Sequence, residues 1–193
     1  MLGKLIEYFL KFPGIGPRQA KRFAYFLAAE DEKFLKDFSQ LISEVKKDIK
    51  QCPECFRFFE GEKCPICHGL NRDKNLLMII EKDVDLENME RAGVYNGKYF
   101  VLGGTLPLTG EKNNLRFKEL YEKVEKEKPK EIILALSASA EGENTERYIQ
   151  KILEPLSASR RIKITKLGRG LSTGAELEYS DSETIKNALE SRK

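Results

Sequence analysis

The chain has 193 residues and a formal net charge of only +3, with 40% hydrophobic and 34% charged residues. This composition excludes a disordered chain and is typical of a globular protein with one substantial core and small modules beside it. The apolar amino terminus is interrupted by Lys4, Glu7 and Lys11, which excludes both the core of a signal peptide and a membrane span. We therefore expect a cytoplasmic protein with no membrane segment.

The first 27 residues predict two helices joined by a tight turn. Apolar residues recur at the spacing of one helix face between positions 2 and 9. The run PGIGP at 13–17 interrupts this pattern, and Pro17 suits the first position of a following helix because its missing N–H needs no partner there. Residues 12–20 together resemble a helix-hairpin-helix DNA-binding motif.

The second helix is predicted to have a basic outer face. Its apolar positions fall on one side, which leaves the cations at positions 18, 21 and 22 on the other. Backbone N–H groups of a glycine turn can approach a phosphate closely, and the start of a helix adds a partial positive charge. We predict that sequence-independent DNA binding uses Gly14, Gly16, Arg18, Lys21 and Arg22. The alternative is a glycine turn beside a solvated basic face.

Residues 28–50 predict one or two short helices. Their apolar residues recur at helical spacing between Phe34 and Val45, which indicates a face that packs against the first two helices. Three lysines at 46, 47 and 50 either extend the basic surface or form a solvated helix end.

All four cysteines of the chain lie within sixteen residues, as Cys52-x2-Cys55-x8-Cys64-x2-Cys67. Each CxxC turn can direct two thiolates at one ion, so the pair of turns predicts a tetrahedral site with one structural Zn²⁺ per chain. Two disulfides are one alternative, and His68 in place of one cysteine is another. Because such a short loop has little core of its own, we expect zinc loss to unfold this finger alone.

After the finger, strands and helices alternate. Short apolar runs predict strands at 76–81, 99–102, 131–136 and 162–167, and amphipathic stretches predict helices at 85–92, 115–128 and 144–156. This order favours a small parallel sheet with helices on both faces, in which functional groups gather at the carboxyl ends of the strands. Neither a GxGxxG nor a P-loop motif occurs there, which disfavours a nucleotide site.

Six stretches of the sequence occur in the order found in the RecR family of bacterial recombination mediators. They are FPGIGPRQAKRFAYFL, the four-cysteine finger, NRDKNLLMIIE, MERAGVYNGKYFVLGG, AEGENTERYI and GRGLSTGAELEYSD. The resemblance implies a multidomain α/β protein with a helix-hairpin-helix region at 1–50, a C4 zinc finger at 51–72, a Toprim domain at 73–167 and a carboxy-terminal arm at 168–193.

The resemblance also implies a function and partners. Proteins of this family are non-enzymatic and bind single- and double-stranded DNA in recombination and DNA repair. They act with RecO, and in many bacteria with RecF, to help load RecA onto single strands. Acidic Toprim residues, here Glu81, Glu141 and Glu143, are implied to dock a basic partner such as RecO. The alternative is that these residues form the solvated rim of an inactive sheet.

The competing prediction is a Toprim metal-dependent nuclease or topoisomerase. Such enzymes hold Mg²⁺ with a Glu after the first strand and an Asp-x-Asp after a later one. Glu81 fills the first position, but the strand at 131–136 is followed by SASAEGE. The only nearby Asp-x-Asp, Asp83-Val84-Asp85, lies on the same strand end as Glu81. We therefore expect no catalytic residues.

The basic hairpin predicts assembly, because one short face offers few phosphate contacts and several copies in a closed ring would hold DNA more firmly. We predict a homodimer that assembles to a tetramer, with one contact through the helix-hairpin-helix regions. The second contact would use residues 168–193, which carry apolar side chains at Leu177, Tyr179, Ile185 and Leu189. The alternative is that this tail packs on its own domain.

Overall fold

The computed structural model describes residues 1–109 and 115–192, which divide into two compact units, Met1–Lys50 and Gln51–Lys193. Residues 110–114 of the predicted Toprim domain and residue 193 of the predicted arm lie outside the described residues. In the described ranges, no helix combines the length and the apolar character that crossing a membrane requires.

The first unit consists of three helices, α1 (Leu2–Phe9), α2 (Pro17–Ala29) and α3 (Glu32–Asp48). Helix α2 begins at Pro17, as its sequence predicts. Helices α1 and α2 pack through small and aromatic residues: Ala20 and Ala24 are fully buried, and the rings of Phe9 and Phe23 meet edge to face at 5.5 Å. Most of the stretch 28–50 forms one long helix, α3, which begins where the Asp31 carboxylate accepts a hydrogen bond from the N–H of Phe34 at 2.7 Å.

Helix α3 keeps most of its apolar face in contact with solvent. The ring of Phe34 meets Phe26 at 5.9 Å, but Leu41 is 65% exposed and Ile42 is 58% exposed. The aromatic side chains of the three helices line an apolar groove of about 470 Å³. The predicted packing of α3 on the first two helices is thus partial, and an apolar surface remains.

The second unit is built on a parallel sheet, and all four predicted strands are confirmed. They are β3 (Asp73–Ile80), β4 (Gly97–Val101), β5 (Glu131–Ala135) and β6 (Lys163–Lys166), in the order β4-β3-β5-β6. In register, Ile80 pairs with Val101 on one side and with Ala135 on the other, so the three strands end at one edge. A two-stranded ribbon, β1 (Ile49–Gln51) and β2 (Phe58–Glu60), flanks the first cysteine turn.

Three helices accompany the sheet, and one lies in the arm. These are α4 (Asp83–Ala92), α5 (Phe117–Glu127), α6 (Ala140–Arg160) and α7 (Ser182–Glu190); a 3-10 turn at Leu177–Tyr179 precedes α7. Helix α6 begins four residues before its predicted start because the hydroxyl of Ser139 accepts a hydrogen bond from the N–H of Gly142 at 3.1 Å. It also runs through Pro155 to Arg160.

The two faces of the sheet have different coverings. Leu77 and Ile79 of β3 point toward α5 and α6, in a core that includes Leu120, Val124, Ile149 and Leu153. Met78 and Ile80 point to the opposite face, where they join Leu86 of α4. Tyr99 and Val101 of β4 also belong to that second core. The finger completes it with Cys52, Cys55, Cys64 and Ile66, each at most 2% exposed. The cysteine turns are therefore a layer of the sheet domain.

Candidate metal centre and nucleic-acid interface

The two CxxC turns fold in the same way. In each, the residue after the second cysteine donates its N–H to the carbonyl of the first: Phe56 to Cys52 at 2.9 Å, and His68 to Cys64 at 3.0 Å. Phe56 has a φ of 62°, and its ring reaches Phe100 in the sheet at 5.4 Å. The N–H of Val101 also donates to the carbonyl of Cys55 at 2.8 Å. Strand β4 thereby fixes the first turn.

The four sulfur atoms form a compact group of the size that a metal ion requires. The Sγ atoms of Cys52 and Cys67 lie 3.7 Å apart, as do those of Cys55 and Cys64, and all four lie within 4.8 Å of one another. A tetrahedron with metal–sulfur bonds of about 2.3 Å has edges of roughly 3.8 Å. A disulfide would bring two sulfurs to about 2.05 Å. The cysteines are unbridged and could hold a metal ion.

Without a metal, the surroundings of three of the thiols shift their pKa values in opposite directions. Burial raises the pKa of Cys64, and a hydrogen bond with Cys55 together with burial raises the pKa of Cys67. Burial also acts to raise the pKa of Cys52, but hydrogen bonds from the backbone of Cys55 and Glu54 outweigh it and lower that pKa. N–H groups that point at a sulfur stabilise a thiolate. His68 is exposed and lies outside the group of four.

The predicted DNA-binding residues meet at the start of α2. Gly14 has a φ of +77°, which only glycine adopts without strain. Gly16 has an ordinary φ of −87°, and a Cβ added there would meet nothing within 4 Å, so neither its backbone nor its packing requires glycine. A missing side chain with open space in front of it leaves room for an external group to approach the backbone.

The charges around this turn are all positive. In α2, which the structure describes in full, the first turn carries neither an acidic residue nor a side-chain cap. Arg18, Lys21 and Arg22 are exposed, and no ion pair to them occurs within the described ranges. Because the second cation follows the first by three residues and the third follows the second by one, all three lie on one side of the helix. This side can bind an anion, because the cationic side chains, the positive end of the helix dipole and the N–H groups at the helix start all attract negative charge.

The predicted acidic residues lie at the carboxyl edge of the sheet, but most have partners nearby. Glu81 accepts a hydrogen bond from the N–H of Ser137 at 2.5 Å, which ties β3 to the loop after β5. Glu143 binds Arg169 at 2.7 Å, and this hydrogen bond lowers the pKa of Glu143. Glu141 is half-buried, and its backbone carbonyl accepts from the hydroxyl of Thr145 at 2.6 Å.

The aspartates beside Glu81 are also engaged. Asp83 accepts a hydrogen bond from the N–H of Phe58 in the finger at 2.7 Å, and Asp85 accepts from the N–H of Lys82 at 2.9 Å. Among the described residues, the four cysteines are the one group of three or more possible ligands close enough to share an ion. The carboxylates at this edge therefore hold loops together, and they do not converge on a metal position.

Sequence reasoning missed the residues that complete this edge. Ser137 binds Glu81, which lies 56 positions away in the chain. Arg169 binds Glu143, which lies 26 positions away. No local sequence pattern indicates either contact. Gly142 could have been recognised from the sequence as a residue with a special packing role, because glycine is unfavourable inside a helix. A Cβ at Gly142 would lie 2.0 Å from the carbonyl oxygen of Ser137, so the close contact between loop and helix explains the glycine.

Three family models match this chain. The model described as "RecR, helix-hairpin-helix" matches residues 2–46, the Toprim domain model matches 75–167, and "RecR, C-terminal" matches 170–193. The models thus cover the helical unit, the sheet and the arm, and the cysteine turns lie between the first two.

Curated proteins resemble the chain over nearly its whole length. Recombination protein RecR of Prochlorococcus marinus (strain MIT 9515) is 40% identical over 193 residues, which are 99% of this chain and 94% of that protein. The RecR protein of Lactobacillus helveticus is 39% identical over 99% of this chain and 96% of its own length. That of Dehalococcoides mccartyi is 38% identical, with coverages of 99% and 93%.

The shared core changes what metal removal should do. The sequence alone predicts local unfolding of the finger, but three of the cysteines belong to the same buried cluster as Met78 and Ile80. We therefore expect chelation to destabilise the sheet as well. A metal present at a thousand times its Kd contributes about 4 kcal/mol. Its loss should lower the Tm by roughly 8–16 °C, measured by far-UV circular dichroism.

The control for this experiment is the same chelator saturated with metal beforehand, which should leave the Tm unchanged. Hydrogen exchange then locates the effect. Faster exchange at Met78 and Ile80 is expected after chelation. Faster exchange restricted to residues 51–72, with an unchanged Tm for the sheet, would contradict the shared core.

Proposed function

This chain belongs to the RecR family of recombination proteins, and we propose that it works as a DNA-binding mediator of recombination and DNA repair that catalyses no reaction. The observation that carries the proposal is the start of α2, where two glycines and three exposed cations surround free backbone N–H groups. Such a surface contacts phosphates, which all sequences share, so binding would be independent of sequence.

The DNA-binding proposal predicts the effect of reversing two charges. Lys21→Glu combined with Arg22→Glu should abolish binding to single- and double-stranded DNA, because phosphates would then meet like charge. Replacing either residue with alanine should reduce the magnitude of the slope of log affinity against log salt concentration by about 0.7–0.9 per lost contact. Fluorescence anisotropy at several salt concentrations measures both quantities.

A matched control changes net charge equally in the same helical unit. Lys33→Glu with Lys36→Glu alters two exposed residues of α3 and should weaken binding only slightly. Equal losses in the two double variants would mean that overall charge, and not the glycine turn, determines binding. Circular dichroism should show unchanged helix content for both.

The protein's partners would be the other components of the same process. We propose that it acts with RecO, and with RecF in cells that contain it, to help load RecA onto single-stranded DNA. A basic partner would dock at the acidic edge formed by Glu81, Glu141 and Glu143. Of these, Glu141 is the best placed to bind a partner, because Glu81 and Glu143 already bind Ser137 and Arg169.

The metal at Cys52, Cys55, Cys64 and Cys67 is proposed to be a structural Zn²⁺. Four thiolates around a tetrahedral position suit zinc, and a closed shell leaves no site for substrate. We expect one zinc per chain in freshly purified, reduced protein, measured by elemental analysis. Cys64→Ser should lower that content, whereas His68→Ala should leave it at one. A zinc content well below one in the unmodified protein would rule the assignment out.

The alternative of a Toprim enzyme makes a different prediction. Because Asp83 and Asp85 hold backbone N–H groups and no Asp-x-Asp follows β5, we expect no cleavage, relaxation or ligation of DNA with Mg²⁺ or Mn²⁺. Glu81→Gln provides the decisive control in a plasmid assay. Activity that is lost in this variant would support the enzyme; activity that persists would come from a contaminant.

Assembly to a dimer and then a tetramer is proposed from two apolar surfaces. One is the groove of α1, α2 and α3, which a folded protein rarely leaves open to water. The other is the arm, where Leu177 is 62% exposed and Tyr179 is 80% exposed. The bonds from the arm to the sheet domain include the ion pair between Arg169 and Glu143. A second copy would cover these surfaces and multiply the DNA contacts.

The role of the arm can be tested by light scattering. Deletion of residues 176–193, or Leu177→Asp combined with Tyr179→Asp, should reduce the mass to that of a smaller assembly and weaken DNA binding. Glu178→Ala lies between the two apolar residues and should leave the mass unchanged. An undiminished tetramer in the deletion variant would show that the arm packs on its own domain.

A further inference from the structure

The amino ends of the strands β5 and β6 carry exposed cations. The two connections that enter these strands, from α5 to β5 and from α6 to β6, repeat one arrangement. Lys128 and Arg161 end the helices, and Lys130 and Lys163 follow two residues later, where the strands begin. All four residues are exposed. The N–H of Lys163 donates to the carbonyl of Lys130 at 2.9 Å, so the two connections lie side by side at this edge of the sheet.

The two cations that end the helices have an unusual backbone conformation. Lys128 has a φ of 52° and Arg161 has a φ of 55°, in the left-handed region. Residues with a side chain are strained there, and helices commonly end at glycine, as α4 does at Gly93. Lys126 and Arg160 already place a cation in the last turn of each helix, so the helix dipole does not require another. Strained residues of this kind cluster at functional sites.

Nearby carboxylates do not neutralise this edge. Residues 125–131 and 160–163 together contain six cations and three carboxylates, and Lys74 at the adjacent end of β3 balances Asp73. Glu127 binds a lysine of its own helix at 2.7 Å, and Glu131 accepts a hydrogen bond from Thr165 at 2.8 Å. The ends of α5 and α6 add about half a negative charge each, which leaves the edge positive. Among the described residues, three of the cations form no ion pair: Lys128, Lys130 and Arg161.

The composition of the two connections favours phosphate as the ligand. Residues 125–131 and 160–163 contain no aromatic residue, and their only apolar residues, Pro129 and Ile162, are buried. Protein–protein interfaces have an apolar centre from which lysine is depleted, and unpaired bases bind by stacking on aromatic side chains. Duplex DNA carries one negative charge per roughly 1.7 Å of its axis and can be bound through phosphates alone. A surface of exposed cations therefore suits duplex DNA best.

We propose that this amino edge of the sheet, formed by Lys128, Lys130, Arg161 and Lys163, is a second DNA-binding surface that contacts the phosphates of duplex DNA. The inference extends the proposed DNA-binding function and rests on it. The new surface adds phosphate contacts to those at the start of α2. It lies at the opposite ends of the strands from the acidic edge, so the sheet domain separates DNA from a basic partner by charge.

The test removes both cations that end the helices from the full-length protein. Lys128→Gly combined with Arg161→Gly deletes two charges and introduces the residue that accepts a left-handed backbone, so the Tm should not fall. The slope of log affinity for a duplex of about 30 base pairs against log salt concentration should decrease in magnitude by about 0.9 per lost phosphate contact. Affinity for a single strand of that length should change by no more than about twofold, because the edge offers no aromatic side chain for stacking. Fluorescence anisotropy measures both.

Matched controls separate position from charge. Lys118→Ala with Lys151→Ala removes two exposed cations from the same two helices, away from this edge, and should keep the affinity for duplex DNA within about twofold. Lys128→Arg with Arg161→Lys keeps both charges and should keep the salt slope. If the glycine variant folds poorly, Lys130→Ala with Lys163→Ala removes the other two cations without changing a helix end and should reduce the slope in the same way.

The possible results separate this inference from the proposed function. A glycine variant with the salt slope of the alanine control overturns the inference. Equal losses of affinity for duplex and single-stranded DNA overturn the assignment to duplex. A smaller mass in light scattering at an unchanged salt slope would show that the acidic edge of a second copy occupies this surface, which also overturns the inference. Unchanged binding by Lys21→Glu with Arg22→Glu contradicts the role of α2 alone, and unmodified protein that binds no duplex DNA overturns both proposals.

Discussion

The packing of the cysteine turns against one face of the parallel sheet is the interaction on which the second unit depends. A parallel sheet requires cover on both faces, and here α5 and α6 cover one while α4 covers only part of the other. The finger supplies the missing layer with Cys52, Cys55 and Cys64. A metal ion bound by the cysteines would fix this layer, because so short a loop has too little apolar surface to fold alone. The proposed metal site and the stability of the sheet would therefore depend on each other.

The same sheet illustrates why a fold does not determine a function. At the edge where a Toprim enzyme gathers carboxylates around Mg²⁺, Glu81 holds the loop after β5 and Asp83 holds the finger. These carboxylates stabilise the connections between elements. Three of the surfaces proposed for function lie outside the sheet: the cationic start of α2, the aromatic groove of the helical unit and the exposed side chains of the arm.

Local sequence patterns predicted the parts of this structure that local physics determines. Pro17 marks a helix start, the CxxC spacing places two thiols on each turn, and apolar runs mark the four strands. The start of α6 was missed because the Ser139 cap and Gly142 contact lie before any apolar periodicity. Contacts between distant segments, such as Glu81 with Ser137 or the cysteines with Ile80, have no signature in a single sequence. The grouping of the four cysteines could be predicted because all four are close in the chain. Their packing in the core of the sheet could not be predicted.

The packing of the cysteines in one buried cluster with Met78 and Ile80 also limits which substitutions this protein can tolerate. Protein cores are close-packed, so a change in the volume of either side chain shifts the turns that hold the sulfur atoms. The finger therefore cannot be exchanged between relatives as an independent cassette. Its turns and the strand beneath them must change together, and a graft would have to carry both.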